Sequence, residues 1–448
     1  MTASSLSASP DQPVETATLR RAIAASALGN ATEWFDYGIY AYGVTYISAA
    51  LFPGDLDDAV LFALATFAIS FLVRPLGGLF WGPLGDRLGR KSVLAFTILL
   101  MSGATLAVGL IPSYASIGLW APALLILLRM VQGFSTGGEY GGAATFMAEY
   151  APDKRRGFYG SFLEFGTLAG FSFGAILMLS FSMLLGEAQM YEWGWRIPFL
   201  VAGPMGLVGM YLRSRMEDTP VFRAHESEAR PSVSLRQLMH SHWRPMLVVG
   251  GLVVALNVVN YTLLSYMPTY LERRIGLTAQ HALIVPIVGM LFMMLFLPFA
   301  GSLSDRIGRK PMWRFSLIGL LVCVVPLYLL MGTGFLGATI AFVLLGLLYV
   351  PQLATISATF PALFPTAARF AGFAIAYNVS TSIFGGTAPA IGSGLITLTG
   401  NELMPAFYMM LACLVGLLAL HFMPETAGRS LHEDVFARGD RPGRPTHL

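Results

Sequence analysis

The chain has 448 residues, of which 55% are hydrophobic and 12% are charged, and its mean hydropathy is +0.65. Apolar runs of membrane-spanning length recur from end to end, which excludes a soluble protein with a single core and indicates a polytopic membrane protein. The net charge is only +3, and membrane topology accounts for the basic residues, so no nucleic-acid partner is expected.

In chain order, residues 1–21 are predicted to form a tail, because they are rich in Ser, Ala, Thr and Pro and contain no signal-peptide apolar core. The chain then continues as a six-helix bundle over 22–213, a linker over 214–243, a second six-helix bundle over 244–423 and a tail over 424–448. The twelve predicted spans start near Ala22, Ala59, Ser92, Leu119, Gly157, Ile197, Pro245, Ala279, Pro311, Phe335, Thr366 and Leu403.

Basic residues are concentrated on one side of these spans. They occupy the loops after the second, fourth and eighth spans and the long linker, whereas the other side holds only Arg196, Arg273 and Arg274. Because positively charged loops remain in the cytoplasm, both termini are predicted to be cytoplasmic, with the lipid bilayer surrounding the spans. The two cysteines, Cys323 and Cys413, lie within apolar runs, which argues against a disulfide framework or a metal cluster.

A ten-residue pattern occurs twice, once in each predicted half. Gly82–Lys91 reads GPLGDRLGRK and Gly301–Lys310 reads GSLSDRIGRK, and each follows the second span of its half. Their separation of about 220 residues is the scale of a duplicated six-span unit. Glycines at such a turn allow two helices to approach closely.

The residues shared by the two copies of this repeat predict a cytoplasmic gate. Each aspartate can pair with the arginine four residues later, or face the N-terminus of a neighbouring helix. Arg74, in the sequence RPLGG, is placed with the same group as an anchor of the fold. The predicted gate residues are Asp86, Arg90, Asp305, Arg309 and Arg74.

The repeated loop resembles the signature of the major facilitator superfamily. Other stretches resemble its metabolite:proton symporter branch, and most closely the proline/glycine betaine symporters: LGNATEWFDYGIY, FLVRPLGGLFWGPLGDRLGRK, RMVQGFSTGGEYGG, RRGFYGSFLEFGTLAG, EWGWRIPF and MPETAGR. The similarity extends from about Leu19 to about Leu431. It implies an all-α polytopic membrane protein with twelve transmembrane helices in two pseudo-symmetric six-helix bundles, alternating access, proton coupling and a place in the cytoplasmic membrane.

The C-terminal end departs from this resemblance. Osmolyte symporters of this type carry a long C-terminal coiled coil, whereas this chain ends in HEDVFARGDRPGRPTHL without heptads. Osmotic regulation by that element is therefore not expected.

Ionisable residues at membrane depth are costly unless they are paired or face water, and so mark functional sites. They are confined to the first half, where Glu33 and Asp36 share one face of the first span, and Arg129 and Glu139 share one face of the fourth. A movement that changes the distance between an arginine and a carboxylate changes its proton affinity, which is what coupling requires. The predicted proton-coupling network comprises Glu33, Asp36, Arg129, Glu139 and Glu164.

The substrate prediction rests on aromatic and amide residues. A zwitterionic solute carries an ammonium group, which suits aromatic faces beside a carboxylate, and a carboxylate, which suits an arginine or amides. The predicted substrate-binding residues are Trp34, Tyr37, Tyr40, Arg129, Asn257, Asn260, Tyr261 and Asn378. The predicted function is therefore proton symport of a compatible solute such as proline or glycine betaine.

Other functions receive less support. The main alternative is a proton symporter of a carboxylate such as 2-oxoglutarate, citrate or shikimate, because FGG-TAPAI in the eleventh span also resembles citrate carriers. A drug/proton antiporter is less favoured because the fifth span lacks a Gly-Pro motif, and a non-transporting sensor because the repeated loops and buried acids are intact.

No enzyme activity and no cofactor are predicted. The G-x-S-x-G stretch at Gly170–Gly174 lacks a preceding strand and a partner histidine. Together with Gly166 it is interpreted as a stripe of small residues for helix packing. The protein is expected to function as a monomer.

Overall fold

The structure, a computed structural model, describes residues 16–88, 90–137, 139–214 and 240–431. Residues 1–15 of the predicted N-terminal tail, 215–239 of the predicted linker and 432–448 of the predicted C-terminal tail lie outside the described residues. The described residues form helices and contain no β-strand.

The first half contains the first six spans, and its fourth span is interrupted by a turn at Thr136 and Gly137. Its helices are α1 (Thr16–Leu51), α2 (Leu56–Leu88), α3 (Arg90–Leu110), α4 (Tyr114–Ile117), α5 (Trp120–Ser135), α6 (Glu139–Tyr150), α7 (Arg156–Gln189) and α8 (Arg196–Ser214).

The second half contains the other six spans. Its helices are α9 (Trp243–Tyr261), α10 (Met267–Arg273), α11 (Ala279–Ile307), α12 (Arg309–Met331), α13 (Phe335–Leu353), α14 (Ile356–Thr359), α15 (Thr366–Ser380), α16 (Ala388–Thr399) and α17 (Met404–Phe422). Two of its spans change pitch through a wider π-helical turn, Thr262–Tyr266 between α9 and α10, and Thr381–Gly385 between α15 and α16.

The predicted spans correspond to these helices in order. Eleven predicted starts lie within three residues of a helix start, and the first differs by six, with Ala22 predicted and Thr16 observed. Of the described helices, seven are long and apolar enough to cross a membrane by length and composition alone. The chain is a multi-pass membrane protein with twelve spanning segments.

Glycines set the closest helix packing in the first half. A Cβ atom at Gly166 or Gly170 would collide with the backbone of α1 at Ala27 or Ala31, so α1 and α7 pack with their backbones in contact. The predicted packing role of this stripe is thereby confirmed. Gly133 similarly brings α5 against the carbonyl of Ser70 on α2, which places the predicted site residues of α2 and α5 side by side.

At the predicted cytoplasmic end, defined by the loops near Gly157 and Asp305, the two halves are in direct contact. The Asp305 carboxylate accepts hydrogen bonds from the backbone N–H groups of Gly157 (2.8 Å) and Phe158 (2.9 Å), in the first turn of α7. Glu149 of the first half pairs with Arg369 of the second at 3.0 Å. The side chains of Asp86 and Arg90 lie outside the described residues.

At the predicted external end, defined by Asp57 and Arg273, the halves are also joined. Asp57 at the start of α2 pairs with Arg273 at 2.5 Å and with Arg274 at 3.6 Å. Deeper in the same interface, Thr45 donates to Glu272 at 3.0 Å. The centre of the molecule is therefore closed toward both ends.

The segment after α17 crosses the predicted cytoplasmic end. Glu425 accepts the backbone N–H groups of Arg309 (2.8 Å) and Lys310 (3.0 Å) at the start of α12. Arg156 and Arg369, one from each half, donate to the carbonyls of Arg429 and Leu431. This segment thus contacts both halves.

Candidate functional site

The centre of the interface holds a buried ion pair between two helices of the first half. Arg74 on α2 pairs with Glu33 on α1, and its Nε donates to Thr136 Oγ1 at 3.0 Å. The Tyr37 hydroxyl lies 3.1 Å from the same oxygen. The close approach of α2 and α5 brings the turn at Thr136 next to Arg74. The hydrogen bond to Thr136 therefore holds Arg74 beside Glu33.

Aromatic rings surround this guanidinium. Its carbon atom Cζ lies 5.3 Å from the ring centre of Tyr37 and 5.0 Å from that of Phe71. Tyr261 and Tyr377, from the second half, are among its electrostatic neighbours. Arg74 is predicted from its sequence to belong to the cytoplasmic gate, whereas these contacts place it in the central site.

A second buried arginine lies deeper in the first half. Arg129 on α5 lies over the ring of Tyr40, with Cζ 3.8 Å from the ring centre, and donates to Gln132 Oε1 at 2.6 Å. Its Nε and Nη2 atoms are buried and make no hydrogen bond to the part of the chain that the structure describes. Two donors of a buried guanidinium are thus available to an anion.

Asp36 is buried near this arginine, inside the first bundle. Its polar neighbours are Thr105 on α3, Arg129 and Glu33. Gln132 donates to Thr105 at 2.6 Å and so joins the helix face of Arg129 to the same region. The polar neighbours of Asp36 thus belong to the first half, and one of them, Glu33, also pairs with Arg74 at the interface.

Glu164 on α7 lies at the interface itself. It accepts a hydrogen bond from the hydroxyl of Tyr140, and the ring of Tyr140 stacks on Tyr377 of the second half, with centres 4.5 Å apart and planes 16° apart. On the same face of α7, Asn30 donates to Thr167 at 2.6 Å. The side chain of Glu139 lies outside the described residues.

Two of the three predicted amides of the second half are hydrogen-bonded within that half. Asn257 donates to Thr381 at 2.9 Å, at the π-helical turn of the eleventh span, and Asn260 accepts from the hydroxyl of Tyr349 at 3.2 Å. Asn378 lies on α15 and is partly exposed. In this conformation none of the three contacts the central ion pair.

The predicted aromatic residues differ in position. Trp34 donates its indole N–H to Asn30 at 3.0 Å and lies 6.1 Å, centre to centre, from Tyr261 across the interface. Tyr40 donates to the carbonyl of Ala63 at 2.8 Å, within the first half. The Tyr261 hydroxyl is buried and has no hydrogen-bond partner among the described residues.

Sequence reasoning missed the rings that join the two halves. Phe67 and Phe71 occupy successive turns of α2 on the face that leads to Arg74, and both are buried. Their spacing to Arg74 was a usable signal, because residues three and four apart share a helix face. Tyr140 follows Glu139 directly, but its pairing with Glu164 depends on a distant helix.

At the cytoplasmic end, Asp305 makes both kinds of contact considered for it. Besides the N-terminus of α7, it pairs with Arg309 at 2.6 Å, four residues along the chain. The guanidinium of Arg309 also donates to Ser304 at 2.5 Å.

Comparison with known proteins agrees with this architecture. The sequence profile of the Major Facilitator Superfamily matches residues 34–386. The chain belongs to the major facilitator superfamily. Its fold is similar to that of the proton:xylose symporter XylE bound to 6-bromo-6-deoxy-D-glucose, with a TM-score of 0.73 and 18% identity over 95% of this chain and 99% of that one.

Several relatives within the superfamily are much more similar in sequence. The glycine betaine/proline/ectoine/pipecolic acid transporter of Dickeya dadantii is 44% identical over 95% of this chain and 87% of its own length. The proline/betaine transporter of Escherichia coli K12 is 42% identical over 95% of this chain and 88% of its own length. The ectoine/proline transporter of Corynebacterium glutamicum is 43% identical over 92% and 85%. These relatives are transporters and not enzymes.

Proposed function

We propose that the protein is a proton-coupled symporter that imports a small zwitterionic compatible solute, such as proline or glycine betaine, by alternating access. It acts as a monomer in the cytoplasmic membrane with both termini inside the cell. The observation that carries the proposal is the buried set of three acids and two arginines, which lies among aromatic rings at the interface and directly behind it in the first half. The names of the relatives support the same solute class.

The charge balance favours a zwitterion over a dicarboxylate. Arg74 is paired with Glu33, so a substrate carboxylate can meet either the Arg129 donors that have no hydrogen-bond partner among the described residues, or Arg74 once the substrate's own cation has taken its place beside Glu33. A second or third substrate carboxylate would meet Glu33 and Asp36 with no further cation among the described central residues, and an unpaired buried charge is strongly unfavourable. The alternative carboxylate substrates are therefore the weaker proposal.

The proton step is assigned to the acids at and behind the interface. Glu164 is bonded to Tyr140, which stacks on Tyr377 of the other half, so separation of the halves would expose this carboxyl group to water. Asp36 lies beside Arg129, so an anion that binds Arg129 would change the field at Asp36. Substrate and proton affinities would thereby depend on each other.

The remaining predicted residues have supporting roles. Asp305 and Arg309, together with Asp86 and Arg90, close the cytoplasmic end in the outward-facing part of the cycle. Glu33 and Glu139 complete the acidic network, while Trp34, Tyr37 and Tyr40 line the substrate path with Tyr261. Asn257, Asn260 and Asn378 would contact substrate only after the second half rearranges, because two of them are now hydrogen-bonded within it.

Uptake into proteoliposomes with an imposed proton gradient tests the coupling. Glu164→Gln and Asp36→Asn should each abolish uphill accumulation of radiolabelled proline while normal insertion is retained. Glu192→Gln, at an exposed acid, is the matched control and should accumulate proline normally. Full accumulation by both site variants would refute the proton assignment.

The substrate class is tested separately by counterflow with the wild-type protein. Labelled glycine betaine should be displaced by unlabelled proline and not by citrate or 2-oxoglutarate. Displacement by citrate and not by proline would reverse the order of the two proposed substrate classes.

A further inference from the structure

The guanidinium of Arg74 lies in surroundings that suit a ligand cation. It lies over the rings of Tyr37 and Phe71 at 5.3 and 5.0 Å, and Glu33 supplies the opposing charge. Aromatic faces beside a carboxylate are the usual means by which proteins bind quaternary ammonium groups. The guanidinium of Arg74 thus lies where the quaternary ammonium group of a ligand would bind well.

This place is completed by the second half. The ring of Tyr261 meets Phe71 edge-on, with centres 5.0 Å apart. Phe71 packs so closely on Gly386 that a Cβ atom there would overlap the phenyl ring, and a Cβ at Gly385 would lie 2.7 Å from the ring of Tyr261. Two successive glycines at the end of the π-helical turn therefore form a notch that admits both rings.

We propose that Tyr37, Phe71 and Glu33 form the subsite for the ammonium group of the substrate, and that Arg74 occupies this subsite in the conformation described here. When substrate binds, its ammonium group replaces the guanidinium on the two rings and beside Glu33. Arg74 then turns to the substrate carboxylate. This inference rests on the proposed function and adds Phe71 and Gly386 as residues that determine specificity.

The exchange explains selection for molecules that carry both charges. Glu33 and Arg74 form one neutral pair, and a zwitterion inserted between them gives two neutral pairs. A ligand with only a carboxylate draws Arg74 away from Glu33 and brings no cation in exchange, and a ligand with only an ammonium group displaces Arg74 and brings no anion for it. Because Tyr261 and Gly386 belong to the second half, the subsite is complete only when the halves are closed around it.

The test compares glycine betaine with 3,3-dimethylbutyrate, which has the same shape and carboxylate but a carbon in place of the charged nitrogen. Binding of each is measured by displacement of labelled glycine betaine from purified protein in nanodiscs. Phe71→Leu keeps an apolar side chain and removes the ring face. It should weaken glycine betaine at least tenfold and change 3,3-dimethylbutyrate less than twofold.

A second variant of Phe71 separates the effect of the ring's charge distribution from that of its packing, and a variant elsewhere serves as the control. Replacement of Phe71 by 3,4,5-trifluorophenylalanine keeps its shape but reduces the negative charge on the ring face, and should also weaken only glycine betaine. Phe407→Leu, at an exposed ring on α17, is the matched control and should bind both ligands as the wild type does. The fluorinated variant provides the answer if Phe71→Leu does not fold.

The possible outcomes distinguish failure of the ammonium subsite from failure of the proposed transport function. Equal weakening of both ligands by the Phe71 variants, or no weakening of either, would overturn the ammonium subsite while the proposed transport function stands. Failure of the wild type to bind glycine betaine or proline at all would overturn both.

Discussion

The cytoplasmic contact of Asp305 provides a quantitative prediction about the conformational equilibrium. Its carboxylate joins the halves through two backbone N–H groups, those of Gly157 and Phe158, whereas its pairing with Arg309 lies within one half. Only the first two interactions are lost when this end opens. Asp305→Ala should therefore favour the open conformation of the cytoplasmic end.

The size of the shift follows from these two bonds. A hydrogen bond to a charged group contributes about 1.5–3 kcal/mol in proteins, so two such bonds stabilise the closed end by about 3 kcal/mol at the lower limit. A difference of about 3 kcal/mol corresponds to a change of about 100-fold in the equilibrium constant. Asp305→Asn retains one acceptor oxygen and should shift the equilibrium by about tenfold.

Double electron–electron resonance can measure this shift. Spin labels would be placed at Lys154 and Arg314, which are exposed on the two halves, in a protein whose Cys323 and Cys413 have been replaced. The population with the longer separation should increase in Asp305→Ala and less in Asp305→Asn. Arg306→Ala, at the exposed neighbouring residue, is the control. An unchanged distance distribution in Asp305→Ala would refute the reasoning.

Three further predictions concern stability and the external end. Gly170→Val places a side chain against the backbone of Ala31 and should lower the melting temperature by several degrees, since overpacking costs about 1–3 kcal/mol; Gly103→Val, at an open position, should not. Glu425→Ala removes the acceptor of two N–H groups at the start of α12 and should destabilise the protein by about 0.5–2 kcal/mol in thermal unfolding; an unchanged melting temperature would contradict this role. Asp57→Asn should open the external end by less than about 1 kcal/mol, because its ion pair is partly exposed; an equal effect in high salt would argue against an electrostatic cause.

The positions of the spans were predictable from sequence because they depend on local composition. The charged turns before Arg156 and Arg309 end one apolar run and begin the next, so both helix starts were placed within two residues. The first start was wrong by six residues, since the polar stretch from Thr16 continues the helix without an apolar signal. The π-helical turns were not foreseen, because their pitch changes depend on packing between distant spans.

The candidate site was predictable in composition but not in its pairings. The acids and arginines were identified because ionisable groups are rare at membrane depth. Sequence spacing could not show that Glu33 pairs with Arg74, since that contact depends on how closely α2 packs against α1 and α5. The contact between Tyr140 and Glu164 could not be predicted for the same reason, because it depends on how α6 packs against α7.

Among the residues that the structure describes, mid-depth charge is confined to the first half, and this has an electrical consequence. Among the described side chains, Glu33, Asp36 and Glu164 oppose Arg74 and Arg129, which gives one net negative charge when all are ionised and none when one acid is protonated. A potential of 100 mV changes the energy of an elementary charge that crosses the whole membrane by about 2.3 kcal/mol. For these five groups and a substrate without net charge, the membrane potential would act on the return of the deprotonated, unloaded carrier rather than on the loaded step.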